Sequence, residues 1–239
     1  MRSLLALPIA LIFAFPYAAG VGLWAALFPK SFKPRMGGLV HFWGRTVLKI
    51  LGIELVLEGT ENLRNNGEII MTNHVNVLDL PVFASIWPAN GTVIYKQEFH
   101  RVPIIGRTMR AIGFIPIDRS NRASGMASLE RAAQRMRDEG ATILIAPEGT
   151  RSGHGKLLPF KKGPFHLALA TRAPVVVAIM RGNAELLPRR SWLARPGTIT
   201  VRFLEAVSTQ DWRPESLAHH MAEIRAMFLE HIEDSVEAD

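Results

Sequence analysis

The stretch EIIMTNHVNVLDLPVFASIW, residues 68–87, changes its pattern twice. It opens with the apolar run IIM, passes through a polar loop, and ends in a second apolar run that contains Pro81. A short, continuous apolar run is typical of a strand buried on both faces, and proline is favoured in the first turn of a helix. The stretch therefore predicts a buried strand, a loop that carries His74 and Asp79, and a helix.

The same alternation continues along the chain and predicts the fold class. The strand-like runs are IELVLEG (53–59), EIIMTN (68–73), TVIYK (92–96), FIPI (114–117), ATILIAP (141–147), PVVVAIM (174–180) and TITVRFL (198–204). Helical patterns lie among them at residues 80–87, 124–140 and 165–172, and a last one closes the chain. This order predicts a layered α/β domain with a largely parallel sheet, in which ligands collect at the carboxyl ends of the strands.

The N-terminal segment differs from the rest in composition. No charged residue occurs from Leu4 to Phe28, and a helix of that length reaches about 37 Å, enough to cross a hydrocarbon core of about 30 Å. Three interpretations remain open: a tilted transmembrane helix, a helix embedded in the membrane interface, and a cleaved signal peptide. Next, His41, Arg45 and Lys49 recur every four residues and predict an amphipathic helix with a basic stripe.

Charge and composition narrow the function classes. The net charge is +7, and residues 1–50 hold six basic residues and no acidic one, which favours an anionic membrane surface over nucleic acid as a partner. The chain has no cysteine, which excludes disulfides, zinc–thiolate sites and a cysteine nucleophile. No serine elbow, nucleotide-phosphate loop or metal-binding spacing occurs, so no metal is predicted. We predict membrane-binding helices over residues 1–52, a catalytic domain over residues 53–239, and a location at the cytoplasmic face of the membrane.

Three polar loops follow apolar runs and are candidates for chemistry: NHVNVLD (73–79), DRSNR (118–122) and EGTRSG (148–153). In the first loop, the residue types suit a dyad in which a carboxylate holds the imidazole tautomer while the other ring nitrogen takes a proton. A helix cap and an ordinary loop histidine are the alternatives. In the third loop, Arg151 offers a planar fork that suits phosphate, with Glu148 either orienting it or fixing the loop. A solvated surface turn is the alternative there.

These motifs, taken in order, resemble the glycerolipid acyltransferase family. Asn73, His74 and Asp79 match its N-H-x-x-x-x-D signature, and the further blocks are GFIPIDR (113–119), PEGTRS (147–152) and APVVVAIM (173–180). The likeness extends over roughly residues 53–205 and is greatest to members that acylate lysophosphatidic acid. Two positions depart from the common pattern: Asn76, where serine is frequent, and Ala146, where phenylalanine is frequent.

The resemblance implies a role for each matching residue. His74 would be the general base and Asp79 its orienting carboxylate. The acceptor's phosphate would be held by Glu148, Gly149, Thr150 and Arg151, with Arg119 as a further phosphate ligand. Lys96 would stabilise the developing oxyanion.

The resemblance also implies the reaction. We expect transfer of a fatty acyl group from acyl-CoA or acyl-carrier protein to the sn-2 hydroxyl of lysophosphatidic acid, by direct attack, with no cofactor. Three alternatives remain: an acyltransferase for another lysolipid such as a lyso-ornithine lipid, a His–Asp thioesterase or lipid hydrolase, and a non-catalytic lipid-binding protein.

Overall fold

The structure, a computed structural model, describes residues 2–64, 66–88, 90–102, 105–118, 120–191 and 193–233. The seven predicted strands are present and form one sheet. They are β1 (Ile53–Glu58), β2 (Ile69–Thr72), β3 (Gly91–Lys96), β4 (Ile115–Ile117), β5 (Thr142–Ile145), β6 (Val175–Arg181) and β7 (Gly197–Phe203). Each lies within the predicted run or differs from it by one residue.

The sheet is mostly parallel, which confirms the predicted fold class. Its strand order is β1-β7-β6-β2-β5-β3-β4. The five strands from β6 to β4 run parallel to one another. Strand β7 is antiparallel to β6, and β1 is parallel to β7. The carboxyl ends of β2, β3, β4, β5 and β6 therefore share one edge of the sheet, here called the carboxyl edge.

Nine α-helices accompany the sheet in the described ranges. They are α1 (Arg2–Leu27), α2 (Pro29–Phe32), α3 (Met36–Leu51), α4 (Asp79–Ser85), α5 (Ile105–Ile112), α6 (Arg122–Glu139), α7 (Gly163–Thr171), α8 (Asn183–Leu186) and α9 (Leu217–Glu233). Helices α2, α5 and α8 were not predicted. All three are short, with four to eight residues, so they show little of the repeated apolar spacing by which a longer helix is recognised in a sequence.

The two faces of the sheet are both covered, which explains the continuous apolar runs. In β6, Val175, Val177 and Ile179 belong to the apolar cluster beneath α6, α7 and α9. The alternate residues Val176, Ala178 and Met180 belong to a second cluster that includes residues of α3 and α4. Since successive side chains of a strand point to opposite faces, a strand buried on both faces requires apolar residues throughout.

The N-terminal helices pack closely on this second face. A Cβ atom built on Gly44 of α3 would lie 2.6 Å from the backbone oxygen of Pro81 in α4, so the two helices approach each other at a position that requires glycine. Helix α3 also adds Val47, Leu48 and Leu51 to the apolar cluster that contains the sheet residues. The division of the chain at residue 52 remains a prediction.

Helix α1 turns sharply into the next helices. In the described ranges, no helix by itself combines the length and hydropathy of a membrane span. The pair Ile12–Leu27 and Pro29–Leu51 has that length and composition together but is bent by 120°.

Candidate active site

His74 and Asp79 form the predicted dyad at the carboxyl edge. His74 follows the end of β2, and Asp79 is the first residue of α4. The imidazole Nδ1 lies 2.5 Å from Oδ2 of Asp79, whose side chain is 0% exposed, whereas that of His74 is 21% exposed. When the N–H at Nδ1 donates a hydrogen bond to the carboxylate, the imidazole is neutral and its Nε2 carries a free lone pair. The dyad thus joins a buried anion to a base that solvent and ligands can reach.

The Asp79 carboxylate accepts three further hydrogen bonds. The backbone N–H groups of Val75 and Asn76 donate to Oδ2 over 2.6 and 3.1 Å. The side chain of Asn183 donates from Nδ2 to Oδ1 over 2.5 Å. Because both oxygens of this buried carboxylate accept hydrogen bonds, the carboxylate is held in one orientation. The carboxylate in turn fixes the plane in which the imidazole lies.

Three asparagines connect the loop of residues 73–79, here called the catalytic loop, with β6 and α8. Asn73 donates from Nδ2 to the carbonyl of Met180, whose N–H donates to Asn73 Oδ1, each over 2.8 Å. Asn76 donates to the carbonyls of Asn183 and Leu187 over 2.6 and 3.1 Å. Sequence reasoning missed Asn183, because it lies outside every motif and meets Asp79 only through the pairing of β2 with β6.

Glu148 holds the EGTRSG loop to the catalytic loop. Its Oε1 accepts from the backbone N–H of His74 and its Oε2 from that of Leu158, both over 2.8 Å. In the reverse direction, the N–H groups of Ser152 and Gly153 donate to the carbonyls of His74 and Val75 over 2.8 Å. Of the two roles left open for Glu148, the hydrogen bonds support fixing the loop.

Burial raises the pKa of Glu148, and the hydrogen bonds from Leu158 and His74 oppose that rise. A proton on this carboxyl would remove one acceptor from a pair of backbone donors. The folded structure therefore favours the protonated form of Glu148 more than water does, although the two backbone donors favour the carboxylate.

The remaining candidates lie around this junction. Gly149 has a φ of 70°, a left-handed conformation that favours glycine. Thr150 and Arg151 are both exposed on the loop that follows β5, the strand beside β2. Arg119 lies outside the described residues.

Lys96 and Asp118 have partners of their own. Lys96 ends β3, which is separated from β2 by β5. Its Nζ lies 2.9 Å from Oε1 of Glu98, so a role at an oxyanion requires Lys96 to leave that partner. Asp118 accepts from the backbone N–H and the hydroxyl of Ser120, which lowers the pKa of its exposed carboxyl.

Comparison with known proteins identifies a family model, named relatives and a solved structure of similar fold. The family model described as Acyltransferase matches residues 54–181. A 1-acyl-sn-glycerol-3-phosphate acyltransferase of Cocos nucifera is 34% identical over 202 residues, which are 84% of this chain and 65% of that protein. A protein of the same description from Limnanthes alba is 33% identical over 83% of this chain and 70% of its own length. The chain thus spans about two thirds of the length of these relatives.

Among solved structures, the 1-acyl-sn-glycerophosphate acyltransferase PlsC of Thermotoga maritima superposes with a TM-score of 0.77. The sequence identity is 23%, and the match covers 98% of each chain, so this likeness bears on the fold alone. The family model covers more than half of the chain and includes the loops that carry His74, Asp79 and Arg151. The chain therefore belongs to the acyltransferase family.

Proposed function

We propose that this protein transfers a fatty acyl group from a thioester donor to the sn-2 hydroxyl of lysophosphatidic acid and so forms phosphatidic acid. The observation that carries the proposal is the dyad: a buried Asp79 on Nδ1 leaves Nε2 of a partly exposed His74 as a base. The relatives from Cocos nucifera and Limnanthes alba, which bear the name of this activity, support the choice of substrate.

The geometry suggests how the residues act. The acceptor hydroxyl gives its proton to His74 Nε2 while its oxygen forms a bond to the thioester carbon. The imidazolium that results is stabilised by the Asp79 carboxylate at Nδ1. When the tetrahedral intermediate collapses, the carbon–sulfur bond breaks and the proton passes to the leaving thiolate. No acyl-enzyme is required, and the protein contains no cysteine to form one.

The phosphate of the acceptor is assigned to Arg151 at the exposed end of the EGTRSG loop. A guanidinium matches a phosphate in shape and charge, and the loop is joined to the catalytic loop by hydrogen bonds in both directions. The donor is acyl-CoA or acyl-carrier protein, and no resident cofactor is needed for this chemistry.

We also propose that the N-terminal segment binds the cytoplasmic face of the membrane. Helix α1 carries Ile9, Ile12, Leu23 and Leu27 in a helical repeat, and each is at least 50% exposed. Such a stripe of exposed apolar side chains is costly in water, and basic residues at the following turn, Lys30 among them, suit anionic headgroups. The bent pair Ile12–Leu27 and Pro29–Leu51 has the length and composition of a broken span or a re-entrant segment, and either would place this stripe in the lipid.

An assay with purified protein tests the catalytic proposal. We expect phosphatidic acid from lysophosphatidic acid with acyl-CoA or acyl-carrier protein, and loss of about 10²–10⁴ in rate for His74→Ala. The acyltransferase and hydrolase alternatives give different products. A lyso-ornithine lipid acylated in preference would identify another acceptor, and free fatty acid released at the same rate without acceptor would identify a hydrolase. Either result refutes the proposal, as does an absence of turnover.

Sedimentation with vesicles tests the membrane proposal. Ile12→Asp and Leu23→Asp place charges in the exposed stripe, so the folded variants should no longer sediment with anionic vesicles. Substitution is preferable to removal of residues 1–52, because α3 contributes Leu48 and Leu51 to the core. Unchanged sedimentation of both variants would show that the membrane contact lies elsewhere.

A further inference from the structure

A tight turn with two arginines follows α8 at the carboxyl edge. The N–H of Ser191 donates to the carbonyl of Pro188 over 2.9 Å and closes the turn around Arg189 and Arg190. The carbonyl of Leu187, just before it, accepts from the side chain of Asn76 in the catalytic loop over 3.1 Å. Asn76, which joins the catalytic loop to α8, therefore also holds the residue just before residues 188–191, here called the arginine turn.

The backbone of the turn is held in an unusual conformation. Arg190 has a φ of 71° and is one of two non-glycine residues with positive φ in the described ranges. The third position of such a turn favours glycine, because a side chain there is strained. Strain of this kind persists where the surroundings over-determine it, and it is concentrated near ligand sites.

Arg189 lies against the EGTRSG loop. A Cβ atom built on Gly153 would be 3.8 Å from Cδ and 4.0 Å from Nε of Arg189. Gly153 follows Arg151 by two positions, so their Cα atoms are at most about 8 Å apart. The N–H of Gly153 donates to the carbonyl of Val75, next to His74. The long, exposed side chains of Arg151 and Arg189 therefore begin close enough together to reach the same point beside the dyad.

The charges at this place are unbalanced. Among the described residues, the ion pairs of lysine and arginine side chains involve neither Arg151 nor Arg189. The carboxylates of Asp79 and Glu148 are buried and already accept hydrogen bonds. The exposed carboxylate of Glu185 in α8 is in none of these ion pairs. A phosphate monoester carries a charge of about −1.5 to −2 near neutral pH, which is more than one guanidinium neutralises and which two would match.

We propose that Arg189 and Arg151 together hold the phosphate monoester of the acyl acceptor, as a two-arginine clamp with one arginine from the arginine turn and one from the EGTRSG loop. This inference rests on the proposed function and adds a specificity-determining residue to it. The clamp makes a phosphate monoester the preferred acceptor, because an acceptor without phosphate leaves two cations close together without a counter-ion. In this arrangement the acyl donor does not contact the clamp.

Steady-state kinetics of Arg189→Gln test the clamp. With donor saturating, kcat/KM for lysophosphatidic acid should fall by about 10- to 100-fold, the effect of losing hydrogen bonds to a charged group. The apparent KM for the donor should stay unchanged. Arg189→Lys, which keeps the charge but not the fork, should recover part of the loss. Arg64→Gln is the matched control, since Arg64 is an exposed arginine between β1 and β2, at the opposite edge of the sheet, and it should behave as wild type.

A double-mutant cycle separates a shared site from two separate ones. If both arginines hold one phosphate, Arg151→Gln and Arg189→Gln combined should lose less than the product of the single losses. Losses that multiply, an unchanged KM for lysophosphatidic acid in Arg189→Gln, or an effect confined to the donor would each overturn the clamp. Monoacylglycerol, the acceptor without phosphate, should be used no worse by Arg189→Gln than by wild type. If the wild type makes no phosphatidic acid at all, the proposed function fails first, and that outcome is distinct from failure of the clamp.

Discussion

Replacing Asp79 by asparagine removes one charge from the dyad and little else. The amide oxygen can still accept from the N–H groups of Val75 and Asn76. The amide nitrogen then faces Asn183, whose Oδ1 is buried and has no hydrogen-bond partner in the described structure. A flip of the Asn183 amide would present that oxygen to the new donor. We therefore expect Asp79→Asn to fold, with a free energy of unfolding within about 1–2 kcal/mol of wild type.

The loss of activity should be far larger than the loss of stability. The carboxylate stabilises the positive charge that His74 acquires when it takes the acceptor's proton. The donor and acceptor atoms are 2.5 Å apart. Taking the two charge centres as about 4 Å apart, with an effective dielectric constant of about 20, the attraction is about 4 kcal/mol. Each 1.36 kcal/mol or so is tenfold in rate, so kcat should fall by about a thousandfold.

The assay compares initial rates of phosphatidic acid formation by wild type, Asp79→Asn and His74→Ala, with thermal unfolding of each as the control for folding. The two variants should be similarly inactive, because the dyad acts as a unit. If Asp79→Asn is folded and retains more than about a tenth of the wild-type kcat, the carboxylate does not stabilise an imidazolium, and the assignment of His74 as the base loses its main support.

Three further predictions follow from buried contacts. Asn183→Ala leaves one oxygen of Asp79 without its donor, so the carboxylate is held less firmly and kcat should fall while KM for lysophosphatidic acid stays unchanged; an unchanged kcat would show that the two backbone donors orient the carboxylate by themselves. Gly44→Ala should destabilise the protein by about 1–3 kcal/mol, measured as a lower Tm, because its Cβ would overlap the backbone of α4. Gly38→Ala, where nothing lies within 4 Å, should not, and equal effects would contradict the close approach of the helices. Burial raises the pKa of Glu148 above its ordinary 4.5, so the folded chain binds more protons than the unfolded chain just above that pH, and this carboxyl's contribution to stability declines as pH rises. Denaturation at a series of pH values from 4.5 upward should show the decline in wild type and not in Glu148→Gln.

The sequence alone determined the parts of this protein that depend on local patterns. Runs such as PVVVAIM are apolar throughout because both faces of β6 are covered, and that pattern is visible without coordinates. His74 and Asp79 are also recognisable, since five positions of loop are enough to fold a histidine back onto a carboxylate. Helices α2, α5 and α8, of four to eight residues, were missed because so short a segment shows little helical period. Helix α4 is also short but was indicated by Pro81 in its first turn.

Only the tertiary structure decided what surrounds the dyad. The strand order places β6 and β5 on either side of β2, and this order brings Asn183, Glu148 and the arginine turn to the carboxyl edge from positions far apart in the chain. No local propensity encodes such a meeting, because it depends on which strands pair and in which register. Glu148 shows the consequence. The sequence left open whether it orients Arg151 or fixes the loop. In the folded chain its carboxylate accepts hydrogen bonds from two backbone N–H groups, one of them that of His74.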